Sequence, residues 1–377
     1  MPGVELLDVL DAPPGESVAE VWRAQTSIDD EGARNAKRSS APAESLVIDG
    51  HPVLKLTCNF EDTEIDRGCW DREVDLDLTG CTAVCFDLYA ENIRAISHAH
   101  LYLQAGDGWY GGSWYPAEEG AWCRVRIPRG EFYVDKPGGG WADIRTIRWS
   151  PWAGPREDCV LYIANFGLEY NPVPAAVVQP EYEGRDGTQV EGSKYFTTVA
   201  KMLDDAGCPL PVLSSRDLTA GRLSDLDLLI LPYASGMPEE QYAPVVDFVR
   251  GGGKVMACYA LPGPIANLLG VNQQGFRTAH PRGEFASTRF AGEPPPGAPA
   301  QVAQNSWGLI DSDPVDGVGE VAAWWHDDSG ARTDVPAIIM SDAGAWFSHV
   351  LFDEDADAKG RLLIALAEQY APGTAQF

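Results

Sequence analysis

The most suggestive chemistry lies in GDGWYGGSWYP, residues 106–116, where two Trp, two Tyr and four Gly share eleven positions. Sugar rings present flat C–H faces that pack on aromatic rings, with a few polar groups at the edges. Trp109, Tyr110, Trp114 and Tyr115 are therefore candidate carbohydrate-binding residues, with Asp107, Glu118 and Glu119 as nearby acceptors for sugar hydroxyls. The competing role is core packing. Successive residues of a strand point to opposite faces, so Trp109 and Tyr110 cannot both stack on a ligand. Alternation predicts that half of the cluster is core and half is available. Trp141 and Trp149 are expected in the core, and Trp152, beside Pro151, on either side.

A second candidate is EDTEIDRG, residues 61–68. If extended, it places Asp62, Glu64 and Asp66 on one face, as either a structural calcium site or a solvated strand. No other cofactor is expected. His98 and His100 share a strand face, but no third zinc ligand accompanies them. The acidic residues are too numerous and scattered to assign a catalytic carboxylate pair.

These residues need a scaffold. At 377 residues and 45% hydrophobic content, the chain is too long for one typical domain. Asp and Glu total 56 against 28 Lys and Arg, a net charge of −28. Such a surface repels phosphate backbones and anionic lipid, which argues against nucleic-acid and membrane partners. No run of apolar residues is long enough to span a bilayer. The N-terminus MPGVELLDVLDAPPG has no basic or apolar signal region, which leaves localisation open, since trimming removes such signals. Eight Cys are present without a CxxC pair. Cys81 and Cys85, four apart on a strand, are roughly 13 Å from each other and cannot bridge. Buried free thiols are one reading; disulfides among Cys58, Cys69, Cys123 and Cys159 are the other.

Short β-branched and aromatic runs dominate the first half: Ser45–Ile48, Val53–Cys58, Ala83–Tyr89, Ala99–Gln104, Cys123–Ile127, Thr146–Trp149 and Val160–Ile163. Turn residues separate them, predicting an all-β jelly roll or β-sandwich over residues 1–171. EYNPVPAA, residues 169–176, reads as an extended linker. From 172 to 377 the pattern alternates: strand AAVVQ, helix SKYFTTVAKMLDDAG, strand LDLLILP, helix MPEEQYAPVVDFVRGGG, strand KVMAC. This predicts an α/β domain with a parallel sheet. Residues 271–330 break the rhythm and read as an insertion, either irregular or with short strands. PAIIMSDAGAWFSHVLF then predicts two strands about a turn, and a last helix covers roughly 356–370.

GWADIRTIRWSPWAG, LYIANFGLEY and AWCRVRIPRGEF together resemble galactose-binding-like β-sandwiches, which accompany glycoside hydrolases. The segments at 226–270 and 345–370 resemble class I glutamine amidotransferase-like domains, implying a flavodoxin-like α/β fold. The pair in this order is similar to the N-terminal part of bacterial proteins that continue into a family-ten-like glycoside hydrolase barrel. The amidotransferase resemblance implies a Cys nucleophile at a strand-to-helix elbow, a His base and a Glu two residues beyond it. Cys258 and His349 match by position. The elbow favours Gly two residues either side of the nucleophile, and here those positions are Met256 and Ala260. The Glu position is Leu351, which cannot orient an imidazole, and Asp353 lies two further on. The expected function is a non-catalytic, carbohydrate-associated module pair that binds a poly- or oligosaccharide or assembles a glycoside hydrolase-type protein. The α/β domain is a candidate homo-oligomer interface. The alternative is a Cys-dependent amidase or amidotransferase using Cys258 and His349.

Overall fold

The computed structural model describes residues 3–25, 39–48, 50–61, 63–115, 118–135, 138–182 and 192–375. The chain divides into two compact units with the boundary between Tyr170 and Asn171. Among the described residues, no helix is long and apolar enough to cross a membrane.

The first unit holds β1 (Gly3–Leu6), α1 (Val18–Val21), β2 (Arg23–Ala24), β3 (Glu44–Ile48), β4 (His51–Cys58), β5 (Trp70–Leu76), β6 (Cys81–Glu91), β7 (Ile96–Ala105), β8 (Gly108–Trp114), β9 (Cys123–Pro128), β10 (Tyr133–Val134), β11 (Ile144–Ala153) and β12 (Cys159–Tyr170). They form two antiparallel sheets, in the orders β3-β4-β12-β6-β9 with β1 added on β12, and β10-β8-β7-β11-β5-β2. The inward-facing side chains of the two sheets make one core, as in a β-sandwich. Its centre is aromatic: the Phe86 ring meets Trp149 at 4.8 Å and Trp114 at 5.6 Å, both edge-on.

β8 contains the glycine-rich aromatic stretch, and its period of two accounts for it. Tyr110, Gly112 and Trp114 point inward, while Trp109, Gly111 and Ser113 point outward. A Cβ on Gly112 would lie 2.6 Å from Phe132 Cε1 in the core. A Cβ on Gly111 would collide with the Tyr133 ring, which lies over it on the outer face. The glycines are spaces that neighbouring rings fill.

The second unit holds β13 (Ala175–Gln179), α2 (Ser193–Asp205), β14 (Val212–Ser214), α3 (Ala220–Leu223), β15 (Leu228–Leu231), α4 (Glu239–Arg250), β16 (Lys254–Cys258), α5 (Gly263–Leu268), β17 (Val271–Thr278), β18 (Phe285–Phe290), β19 (Gln301–Ser306), β20 (Gly308–Pro314), β21 (Glu320–His326), β22 (Arg332–Ser341), β23 (Gly344–Phe347) and α6 (Ala356–Tyr370). One sheet runs β14-β13-β15-β16-β23-β22-β21-β18-β19. The pairings from β14 through β23 are parallel, and the rest are antiparallel. The parallel strands are buried on both sides, which is why LLIL and VMAC read as continuous apolar runs. Phe196, Val199 and Leu203 of α2 and Leu362, Leu363 and Leu366 of α6 enter one core. Val245, Val246 and Val249 of α4 and Ile265 of α5 enter the other.

In the segment 271–330 the structure takes the short-strand alternative of the sequence reading. It contains five strands, three of which extend the main sheet, while β17 and β20 pair separately. Polar sequences such as QVAQNS carry too few apolar residues to announce a strand, and β19 is held by its pairing with β18.

All eight Cys are free thiols. Cys58 and Cys159 are register partners in adjacent strands, yet they too are unbridged. Burial pushes the Cys159 thiol up to about 12, and raises that of Cys58 as well. Since only Cys123 is not fully buried, we expect a thiol reagent at neutral pH to modify at most one residue rapidly in the native protein. All eight should react in denaturant. Rapid modification of four or more native thiols would contradict this packing.

Candidate functional site

The outer face of the sheet β10-β8-β7-β11-β5 gathers an aromatic platform. Alternation along β7 turns His98, His100, Tyr102 and Gln104 outward and buries Ala99, Leu101 and Leu103. Pairing registers Tyr102 beside Gly111 on one side and Arg148 on the other, and Trp152 beside His98. Six rings thus form a continuous surface. His98 stacks on Trp152 at 5.5 Å and 12°, and His100 stacks on Tyr102 at 5.3 Å and 23°. Tyr102 meets Trp109 edge-on at 6.2 Å. The Tyr133 hydroxyl donates to the Tyr102 hydroxyl at 3.1 Å.

Cations hold this face. Arg148 makes two hydrogen bonds to Asp71, at 2.6 and 2.7 Å, and lies 4.3 Å from the Trp109 ring centroid. Arg67 lies between Trp152 and Tyr102, at 5.2 and 5.5 Å from their centroids. Its Nε donates to the buried Ser150 Oγ at 2.5 Å. His100 is held below the usual imidazole range by burial and by the neighbouring His98 and Arg67, so it stays neutral at pH 7.

The four aromatic candidates from the sequence are divided by the structure. Trp109 belongs to the platform. Tyr110 and Trp114 do not, because they face the core, at 0% and 5% exposure. Tyr115 is 52% exposed but lies past the end of β8. Sequence reasoning missed Tyr102, Tyr133 and Arg67 and left Trp152 unassigned. The signal was present in SHAHLYLQ, whose aromatic and polar residues alternate with Ala and Leu. A smaller ring group, Tyr89, Trp122 and Tyr162, gathers around the other sheet's outer face.

Of the three acidic candidates, Asp62 lies outside the described residues. Glu64 is exposed, and Asp66 accepts from Arg156 Nη2 at 2.6 Å. The same guanidinium bonds the carbonyls of Thr63 and Glu64. The cation that these oxygens hold in the structure is therefore an arginine. No cluster of three metal-ligating side chains occurs among the described residues.

In the second unit the amidotransferase-type candidates, Cys258 and His349, are both buried. Cys258 is the last residue of β16 and fully buried. Burial alone pushes its thiol up to about 12, so no thiolate is available at neutral pH. The strained residue of the strand-to-helix turn is Tyr259, with φ of 65°. Its N–H donates to Phe347 O at 2.8 Å, and its carbonyl accepts from Trp346 Nε1 at 2.7 Å. The elbow position implied for Cys258 is thus occupied by the following residue, whose ring continues the stack Tyr195–Tyr233–Tyr259 at 5.4 and 6.0 Å.

His349 is buried against Trp325, with ring centroids 4.6 Å apart, and its Nδ1 has no hydrogen-bond partner. Burial and the positive charge of Lys359 depress its pKa to about 3. A triad needs an acid beside its imidazole. Here the charged neighbour acting on it is a cation, Leu351 is apolar and buried, and Asp353 is exposed.

No protein-family model matches the chain, and no curated protein matches it. Solved structures do resemble it in part. A β-galactosidase from Bacillus circulans sp. alkalophilus is 15% identical, with a TM-score of 0.41, over 52% of this chain and 31% of that one. The chain thus spans about a third of that enzyme's length. The family 11 carbohydrate-binding module from Clostridium thermocellum, solved with a β-1,3-1,4-mixed-linked tetrasaccharide, is 14% identical. It aligns over 45% of this chain and 96% of its own, with a TM-score of 0.31. A thua-like protein from Bacteroides uniformis is 11% identical over 52% of this chain and 91% of its own, with a TM-score of 0.38.

Two outcomes are expected. A glutamine-mimicking diazoketone should leave Cys258 unmodified, and the protein should show no glutaminase activity. The unfolded His349 binds a proton below about 6.5, whereas the folded one waits until about 3. The unfolded state holds more protons in that window, so stability falls as pH falls through it. His349 contributes up to about 1.4 kcal/mol per pH unit to this slope. Denaturant titrations of His349→Phe should be flatter than the parent between pH 6 and pH 4 by roughly that amount. Equal slopes would refute the buried neutral imidazole.

Proposed function

We propose that the outer face of β10-β8-β7-β11 is a carbohydrate-binding platform, and that the chain is a non-catalytic, glycan-binding part of a glycoside hydrolase-type protein. The observation that carries this reading is the six-ring surface of Trp109, Tyr102, Tyr133, His100, His98 and Trp152. Such rings offer C–H stacking faces, and the imidazole, hydroxyl and guanidinium groups between them offer hydrogen bonds to sugar hydroxyls. A sheet face positions these groups more rigidly than a loop can. The carbohydrate-binding module and glycosidase structures named above agree in kind with this reading, which stands on the geometry of the face.

The second unit serves in this reading as a flavodoxin-like, amidotransferase-type scaffold without amidotransferase chemistry. Its support is the strand order: in chain order, the parallel strands run 2-1-3-4-5. The buried thiol and imidazole weigh against the amidase alternative, since a fold does not carry its chemistry along. Self-association is a further part of the proposal. It is supported by the exposed ring pair Phe276–Trp307, 5.3 Å apart and at 49% and 66% exposure.

The test is a matched set of variants in glycan-affinity electrophoresis. Trp152→Ala and Tyr102→Ala should weaken retention about tenfold with little change in melting temperature. Trp114→Ala should instead cost about 3–5 kcal/mol of stability, since it empties core volume. Trp122→Ala, on the other face, should change neither. Loss of retention in the Trp122 variant alone would move the site to the opposite sheet.

A further inference from the structure

Resting on that platform reading, we infer that the face selects acidic saccharides, with Arg67 as the receptor for a sugar carboxylate. Among the arginines without an ion pair, Arg67 is set apart by its place beside two rings of the platform. In the first unit Arg23, Arg124, Arg126, Arg145, Arg148 and Arg156 each pair with a carboxylate. Arg67 pairs with none among the described residues. The acids nearest in sequence and across the sheet are already engaged, Asp66 by Arg156, Asp71 by Arg148 and Glu73 by Arg23. Asp135 acts on the neighbouring Tyr133 but makes no ion pair with Arg67.

The guanidinium is also held in place. Its backbone bridges to Trp152, its carbonyl accepts from Ser39 Oγ at 2.6 Å, and its Nε is committed to Ser150. Trp152 and Tyr102 lie to either side. The two terminal nitrogens have no protein partner among the described residues. That leaves an end-on fork, the geometry that accepts both oxygens of a carboxylate. The rings beside it supply the stacking surface for the sugar that bears the carboxylate. A uronide satisfies both requirements at once, whereas a neutral sugar satisfies only the rings.

The experiment uses the full chain and pairs of oligosaccharides that differ only in the carboxyl group: oligogalacturonate, oligomannuronate and oligoglucuronate, each beside its carboxyl-reduced counterpart. We expect at least one uronide to bind about tenfold or more tightly than its reduced partner at low salt. The preference should vanish in Arg67→Gln, survive in part in Arg67→Lys, and shrink as salt rises. A melting curve of Arg67→Gln close to the parent's checks that the face is intact. If reduced and acidic members bind alike, or if only neutral glycans bind, the acidic selectivity falls while the platform reading stands. If no glycan of either kind binds, both fall. If the uronide preference persists in Arg67→Gln, Arg67 is not the receptor.

Discussion

The alternation of β8 is the constraint on which the first unit depends. A strand presents successive side chains to opposite faces, so Trp109-Tyr110-Gly111-Gly112-Ser113-Trp114 must serve the core and the surface in turn. Its large inward residues, Tyr110 and Trp114, join the Phe86–Trp149 centre. Its outward residues leave a ring at Trp109 and a gap at Gly111, into which Tyr133 folds. Slipping the register by one residue would bury Trp109 and expose Trp114. The same register sets Tyr102 between Gly111 and Arg148, so the platform and the core are two consequences of one pairing.

Charge is handled locally on this acidic molecule. Six arginines of the first unit pair with carboxylates, and one of them, Arg156, bonds the carbonyls of Thr63 and Glu64 and the carboxylate of Asp66, in the segment whose Asp62, Glu64 and Asp66 the sequence suggests for a divalent cation. A guanidinium there supplies several donors to carbonyl and carboxylate oxygens, as a cation would supply coordination. Against this background the position of Arg67, beside the rings of Tyr102 and Trp152, is chemically distinct.

In the second unit topology and side-chain environment act separately. The parallel strands bring β16 and β23 side by side, with Cys258 in register with Phe347. Placement by topology is not sufficient for chemistry. The nucleophile needs an exposed, strained position and a stabilised thiolate, and the base needs an acid to orient it. Cys258 sits one residue short of the strained position, and His349 faces Trp325 and the field of Lys359.

Hydrophobic periodicity was enough to read the two-unit organisation, the β-rich first half, helices α2, α4 and α6, and the apolar parallel strands, because those signals are local and repeat every two or 3.6 residues. Composition was enough to read the acidic surface. The positions and pairing of the strands in 285–326 were not legible, because their polar residues become strands only through pairing with neighbours far along the chain. The same reason hid most of the platform. SHAHLYLQ, GWYGG and RWSPW each announce an alternating strand, but nothing within any one of them says that the three lie side by side. Registers between β7, β8 and β11 bring Tyr102, Trp109 and Trp152 onto one face, and a bridge to residue 67 sets the guanidinium among them. Strand periodicity is a property of the chain, whereas the shared face is a property of the sheet.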